Sequence, residues 1–350
     1  MIRRTDDLGP QARGAFDALI DVRSPSEFAQ DHLPGAINLP VLDDAERARV
    51  GTEYVRGSKF RARRMGAALV ARNIAGHLEG ALADRDGGFR PLVYCWRGGQ
   101  RSGAMAAVMD QVGWTVAVLD GGYRTWRRRV AEALYDAPVP HPLVLLDGPT
   151  GVGKTEVLHR LAARGVQTLD LEGLANHRGS LFGGQPGGQP PQKLFESRLF
   201  AALEQLDPVR PVVVEAESSK VGARLVPPRL WAAMQAAPRI ALTAPVPARA
   251  AFSARAYAGT AADAAALERA FARMPRHVSK ATVADWRALA AAGEHLALAR
   301  ALIETHYDPA YGRSAAPDDP MAVIDAGDLS ETALNRATQA VARALGQPQP

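Results

Sequence analysis

Cys95 is the only cysteine among 350 residues, and Trp96-Arg97-Gly98-Gly99-Gln100-Arg101-Ser102 follows it. A thiol ending an apolar run, with Gly98 and Gly99 next and a helix starting near Ser102, lets successive backbone N–H groups converge on one point. The helix N-terminus adds partial positive charge, and Arg97 and Arg101 add whole charges. Such surroundings lower a thiol's pKa and suit a tetrahedral anion. Two chemistries use this arrangement. One cleaves a phosphate ester through a phosphocysteine, for which Cys95 and Arg101, six apart, are suited. The other carries a chalcogen atom on sulfur as a persulfide or perselenide. An inert cysteine at a strand end is the bland alternative.

A second cluster, Gly148-Pro149-Thr150-Gly151-Val152-Gly153-Lys154-Thr155, fits G-x-x-x-x-G-K-[ST] between an apolar run and a helical one, the context that makes it a P-loop. Backbone amides around Gly148, Gly151 and Gly153 cradle phosphate oxygens, Lys154 supplies a point charge, and Thr155 can hold Mg²⁺. The motif recognises a polyphosphate. ATP satisfies it, and so does an allylic diphosphate. Glu215 and Glu217, at the end of "PVVVEAESSK", are candidate carboxylates near a metal, with a solvated strand end as the alternative. His306 and Asp308 in "ETHYDPAY" read as a helix-terminating turn.

The elements that must hold these groups alternate. Phe16 to Val22 reads as a strand, Ser24-Pro25 opens a short helix with proline just inside its start, and 60–82 has helical spacing. "PLVYC" is a compact buried strand, "RSGAMAAVMDQVG" a helix stopped by Gly113, "WTVAVLDGG" a strand and "YRTWRRRVAEALY" a helix. Proline-rich 136–142 marks a linker between a first domain, 1–135, and a second, 143–350. In the second, "LVLLDG", "VQTLDLE", "PVVVEAES", "PRIALTAP" and "MAVIDAG" are strands, and Ala-rich stretches near 246–275 and 282–305 are helical. Residues 178–192, "RGSLFGGQPGGQPPQ", hold too much Gly and Pro for regular structure, and the tail "GQPQP" reads as frayed. Both halves are therefore expected to be α/β, each with a mainly parallel sheet covered on both sides, the second with extra C-terminal helices.

Composition sets the class of partner. Hydrophobic residues make up 47% and charged residues 23%, an ordinary globular balance, and the net charge of +5 favours anionic partners. No apolar run approaches eighteen residues and the N-terminal stretch lacks an apolar core, so neither a membrane span nor a signal peptide is expected. One cysteine fits a reducing cytoplasm. Arginines cluster at Arg61, Arg63 and Arg64 and again at Arg127, Arg128 and Arg129, either as solvated helix faces or as contacts for nucleic acid.

"DVRSPSEFAQDHLPGAINLP", "YCWRGGQRS" and "LDGGYRTW", in that order, resemble the rhodanese domain from residue 17 to about 130, with a helical insert at about 44–88. The length of the Cys95 loop equals that of rhodanese-related phosphatases, so that activity stays open. "LEGLANHRGSLFGG", "GGQPPQKLFES", "VVVEAESSKVG" and "THYDPAYGRS" belong to neither the rhodanese nor the P-loop signature. With them, the whole order of motifs resembles the tRNA 2-selenouridine synthase family, although the repeated Gly-Gly-Gln-Pro is longer than the family's usual form.

The resemblance implies a rhodanese-like domain followed by a P-loop domain, and a transferase acting on wobble 2-thiouridine of tRNA. Geranyl diphosphate would alkylate the sulfur, and selenophosphate would then replace the geranylated sulfur with selenium. The departing diphosphate would occupy the P-loop with Lys154 and Mg²⁺, and selenophosphate the nest of Arg97, Arg101 and Ser102. Cys95 would either take selenium as a perselenide or position the anion. The two arginine clusters become candidates for the tRNA backbone. No tightly bound cofactor is expected, and the enzyme would be cytoplasmic. Two alternatives stand beside this reading: a nucleotide-gated scaffold delivering persulfide sulfur to a partner, and a Cys phosphatase fused to a kinase-like domain.

Overall fold

Both glycine-rich turns lie where parallel strands end, and a computed structural model shows how. It describes residues 2–261, 263–275, 278–313 and 320–346. The chain divides into two units, Met1–Ala137 with Pro190–Gln205, and Pro138–Gln189 with Leu206–Pro350.

The first unit holds five strands, β1 (Arg3–Thr5), β2 (Ala18–Asp21), β3 (Ala36–Asn38), β4 (Pro91–Tyr94) and β5 (Ala117–Leu119), all parallel in the order β1-β5-β4-β2-β3. Every residue of β4 is buried, as expected of a central parallel strand covered on both faces. Ile20, Val93 and Val118 meet Met105 and Met109 of helix Gln100–Val112 in the core. That helix stops where its sequence says, at Gly113 in the left-handed region (φ 103°). The insert is a pair of helices, Asp44–Arg56 and Lys59–Glu79, whose first turns are capped by the Asp43 and Ser58 side chains.

Helix Gln192–Leu203 is counted with the first unit, a crossing that a single boundary at 136–142 does not express. Its reason is Trp126, which is fully buried. The indole N–H donates to Ser197 Oγ at 3.0 Å, the ring meets Phe200 at 5.2 Å between centroids, and the Arg13 guanidinium covers it at 4.8 Å. Arg13 and Arg129 both reach Glu204, at 2.9 and 3.0 Å.

In the second unit β6 (Leu143–Asp147), β7 (Gln167–Leu169), β8 (Val212–Glu215), β11 (Arg239–Thr243) and β12 (Ala322–Asp325) form a parallel sheet in the order β12-β11-β6-β8-β7. All five were legible as apolar runs. A small antiparallel hairpin, β9 (Lys220–Val221) with β10 (Arg224–Leu225), was not foreseen, whereas helix Glu331–Ala344 is among the extra C-terminal helices expected without bounds. Helix Glu331–Ala344 buries Leu334 and Val341 against the core around Val157 and Leu161 of the P-loop helix. Residues 178–191 are irregular apart from one bridge between His177 and Gly184. The Ala-rich stretches form the helices Val246–Ala256, Ala264–Phe271, Lys280–Ala291 and His295–Leu302; the first packs Ala248 and Phe252 on the sheet core, and the apolar sides of the other three gather with Phe182 into a separate cluster around Trp286. The tail beyond Gly346 and Ser314 of "THYDPAYGRS" lie outside the described residues. Among the described residues no helix is long and apolar enough to cross a membrane. Both halves are thus α/β with parallel sheets, as expected.

Candidate active site

Cys95 follows β4 directly and is 4% exposed. Its loop is fastened from below by the Gly121-Gly122 turn after β5. Tyr123 N–H donates to the Cys95 carbonyl at 2.8 Å, and Gly122 has φ +62°. A Cβ on Gly122 would stand 2.3 Å from that same carbonyl oxygen, so only glycine lets the two turns touch. Gly98 needs its φ of +66° for the same approach. Ser102 Oγ stands 3.2 Å from Cys95 Sγ. Burial alone would push the thiol up; the Ser102 hydroxyl and the N–H groups of Ser102, Arg97 and Gly99 outweigh it and bring Cys95 below its ordinary pKa.

Cations and an aromatic ring surround the mouth. Arg101 pairs with Glu27 at 2.9 Å, and Arg47 reaches the same carboxylate at 2.9 Å. Arg97 is exposed and has no ion pair among the described residues, which leaves its charge free for a ligand. Trp96, 38% exposed, leans on Tyr123 with centroids 5.2 Å apart.

The remaining motif residues of this unit are scaffold. Asp21 and Arg23 form a fully buried pair at 2.6 Å. Arg23 also donates to the Asp31 carbonyl and lies 4.0 Å from the Tyr123 ring centroid, while Tyr123 OH donates to Asp31 Oδ2 at 2.6 Å. The Asn38 amide donates to the carbonyls of Asp21 and Arg23. These bonds fix the strand ends from which the Cys95 loop springs.

The P-loop follows β6. Gly148, Gly151 and Gly153 have φ of +145°, +82° and +82°. A Cβ on Gly148 would come within 2.5 Å of the Leu242 carbonyl, and one on Gly151 within 2.5 Å of Ser253 Oγ. Lys154 Nζ donates to the Gly148 carbonyl at 2.7 Å, and Thr155 Oγ1 to Glu172 Oε2 at 3.3 Å.

Glu215 and Glu217 meet there with Glu172, one oxygen of each lying within 4.8 Å of the others. Glu215 is fully buried and neither of its carboxylate oxygens has a hydrogen-bond partner. Burial, then Glu215 and Glu217, push Glu172 up to about 9; burial pushes Glu215 up to about 7 against the pull of Thr155 and Lys154, and Glu217 is raised by burial too. Three crowded carboxylates, one with both oxygens orphaned, fit a hard divalent cation such as Mg²⁺. Glu172 escaped the sequence reading because its motif, "LEGLANHRG", has no metal-ligand spacing. Only the adjacency of β7 and β8 brings it to Glu215.

Arg249 was also missed. It is 3% exposed, donates to the Thr150 carbonyl at 3.1 Å, and grips both oxygens of Asp308 at 2.8 and 2.6 Å. Asp308 is therefore a strut behind the P-loop. The expected helix-terminating turn is instead a π-helical stretch, Ile303–Tyr307, running into helix Asp308–Arg313. Of the arginine clusters, Arg61, Arg63 and Arg64 are exposed, with Arg61 3.2 Å from Glu53. Arg127 is tied to buried Glu196 and Arg129 to Glu204, leaving Arg128 exposed between them.

Two family models match the chain. Residues 9–129 match the rhodanese-like domain and residues 141–278 the tRNA 2-selenouridine synthase AAA domain. The class is thus a rhodanese-like domain followed by a P-loop domain. A tRNA 2-selenouridine synthase of Pseudomonas syringae pv. syringae is 38% identical over 229 residues, 63% of this chain and 60% of that protein. One of Cupriavidus necator is 40% identical over 234 residues, 65% and 62% of the two chains. A rhodanese-related protein from Thermoplasma volcanium of known structure is 18% identical, with a TM-score of 0.24, over 37% of this chain and 91% of that one. These matches make the chain similar to tRNA 2-selenouridine synthases in both domains, and it spans about three fifths of the length of the curated relatives it matches.

Proposed function

We propose that this protein is a tRNA-modifying transferase that converts wobble 2-thiouridine to 2-selenouridine, using geranyl diphosphate and then selenophosphate. The observation that carries the reading is one chain with two distinct anion cradles, a thiol in the first and a polyphosphate loop in the second, joined to relatives that bear the synthase's name.

In the first step the 2-thio sulfur attacks C1 of geranyl diphosphate, the C1–O bond breaks, the N3 proton is lost, and diphosphate leaves with the bonding electrons. The amides of the P-loop and Lys154 take up its charge. Thr155, Glu172, Glu215 and Glu217 would hold a divalent cation, which would neutralise the same leaving group. Alkylation turns a stable C=S into a departing thiol.

In the second step selenium must reach C2 as selenide. A perselenide on Cys95 drawn from selenophosphate would leave phosphorus reduced or demand an oxidant. Attack of the Cys95 thiolate at phosphorus balances without one. It forms a phosphocysteine and expels hydrogen selenide, which attacks C2 and passes its proton to N3 as geranylthiolate leaves; water then releases phosphate. Cys95 and Arg101, six apart, with Ser102 beside the sulfur, suit that phosphoryl transfer.

Incubation with 2-thiouridine-bearing tRNA and geranyl diphosphate, followed by selenophosphate, tests the reading. Mass spectrometry of the nucleosides should show S-geranyl-2-thiouridine and then 2-selenouridine. Unchanged 2-thiouridine after both additions would refute it.

A further inference from the structure

A P-loop that serves nucleotides needs polar groups nearby for a base and a ribose. The cavity beside this one is mostly apolar in its exposed wall, although Thr150, Ser180, Ser253, Tyr257, His295 and Tyr307 also line it. It is a narrow, half-open slot, in which the centre of a water-sized sphere can move through about 70 Å³. Thr150 of the P-loop lines one part of it, with Ser253, whose hydroxyl nearly touches Gly151. The walls behind come from Phe182, Leu267, Leu298 and Leu302 of the apolar helical cluster. Ser180 and Tyr257, 3.0 Å apart between hydroxyl oxygens, also line it. Ser180 follows Gly179, where a Cβ would stand 2.6 Å from Glu172 and 2.9 Å from Glu217. The cavity therefore reaches the phosphate cradle at Thr150, and the segment lining it at Ser180 continues from a glycine packed on the carboxylate cluster, an arrangement that suits a ligand with a diphosphate head and an apolar body.

We infer that this cavity holds the isoprenoid tail of the diphosphate substrate, with Ala299 and Leu302 limiting how long a tail is accepted. The inference rests on the proposed use of geranyl diphosphate. It goes further in assigning tail recognition to the helices Ala264–Phe271 and His295–Leu302 and to Phe182 of the irregular segment, none of which belongs to the P-loop motif. Apolar contact rewards hydrocarbon in proportion to the area covered, and burying even about four of the tail's ten carbons should tighten binding about 100-fold or more over the bare diphosphate.

Calorimetry on the full chain with Mg²⁺, titrating pyrophosphate, geranyl diphosphate, farnesyl diphosphate and ATP separately, decides it. Wild type should bind geranyl diphosphate about 100-fold more tightly than pyrophosphate. Ala299→Phe should cut the geranyl diphosphate affinity at least about tenfold while pyrophosphate binds as before, which also certifies the fold. Leu302→Ala should move the preference toward farnesyl diphosphate. If geranyl diphosphate binds wild type tightly and both variants bind it equally well, the tail lies elsewhere and the cavity assignment falls alone. If wild type binds geranyl diphosphate no better than pyrophosphate, and ATP more tightly than either, the proposed use of geranyl diphosphate falls as well.

Discussion

Ser102 shows most plainly how one side chain sets the chemistry of its neighbour. Burial opposes the Cys95 thiolate, and the hydroxyl 3.2 Å from Sγ is among the groups that reverse the balance. Because Cys95 lies below its usual pKa, the thiolate is available at lower pH than that of an ordinary cysteine. Ser102→Ala should move the midpoint of Cys95 alkylation by iodoacetamide to higher pH, read as rate against pH; an unmoved midpoint would show that the backbone N–H groups suffice. Cys95, Arg97, Arg101 and Ser102 were legible because they are contiguous. Glu172 and Arg249 were not, since the first needs strand pairing and the second needs the helix after β11, about a hundred residues on, to meet the P-loop.

Among elements, the turn after β5 and the strand end of β8 bear most on the sites. Gly122 combines φ +62° with ψ −151°, a region open almost only to glycine. Gly122→Ala should destabilise the first unit by about 1–3 kcal/mol, seen in urea unfolding, and should slow Cys95 alkylation because the displaced carbonyl belongs to Cys95 itself. At β8, Glu215 is buried without a partner. Millimolar Mg²⁺ should therefore raise the Tm of wild type. Glu215→Gln, which removes a crowded charge, should melt higher than wild type without Mg²⁺ and lose the response to it. An equal Mg²⁺ response in both would place the cation elsewhere. The strands themselves were readable from apolar runs, whereas β9 and β10 were too short to signal and helix Glu331–Ala344 was expected only as a C-terminal helix without bounds.

Across the whole chain the order of the two domains was visible, but the path of the backbone was not. A proline-rich stretch marks a boundary by composition. The return of helix Gln192–Leu203 to the first unit depends on which buried partner Trp126 finds, and no local pattern announces that. Trp126→Ala should cost about 3–5 kcal/mol, because it empties a fully buried site and leaves Ser197 without its donor. Chemical denaturation of the full chain followed by far-UV circular dichroism measures it, and a loss below about 1 kcal/mol would mean that the helix contributes little to this unit.

The central claim is a division of labour, with the P-loop serving alkylation and Cys95 serving selenium delivery. Nucleoside mass spectrometry after sequential addition of geranyl diphosphate and selenophosphate to 2-thiouridine tRNA, run with Cys95→Ala and Lys154→Ala, tests it most directly. Cys95→Ala should accumulate S-geranyl-2-thiouridine and make no 2-selenouridine, while Lys154→Ala should leave most of the 2-thiouridine unalkylated. A Cys95→Ala protein that forms 2-selenouridine at the wild-type rate would contradict the account.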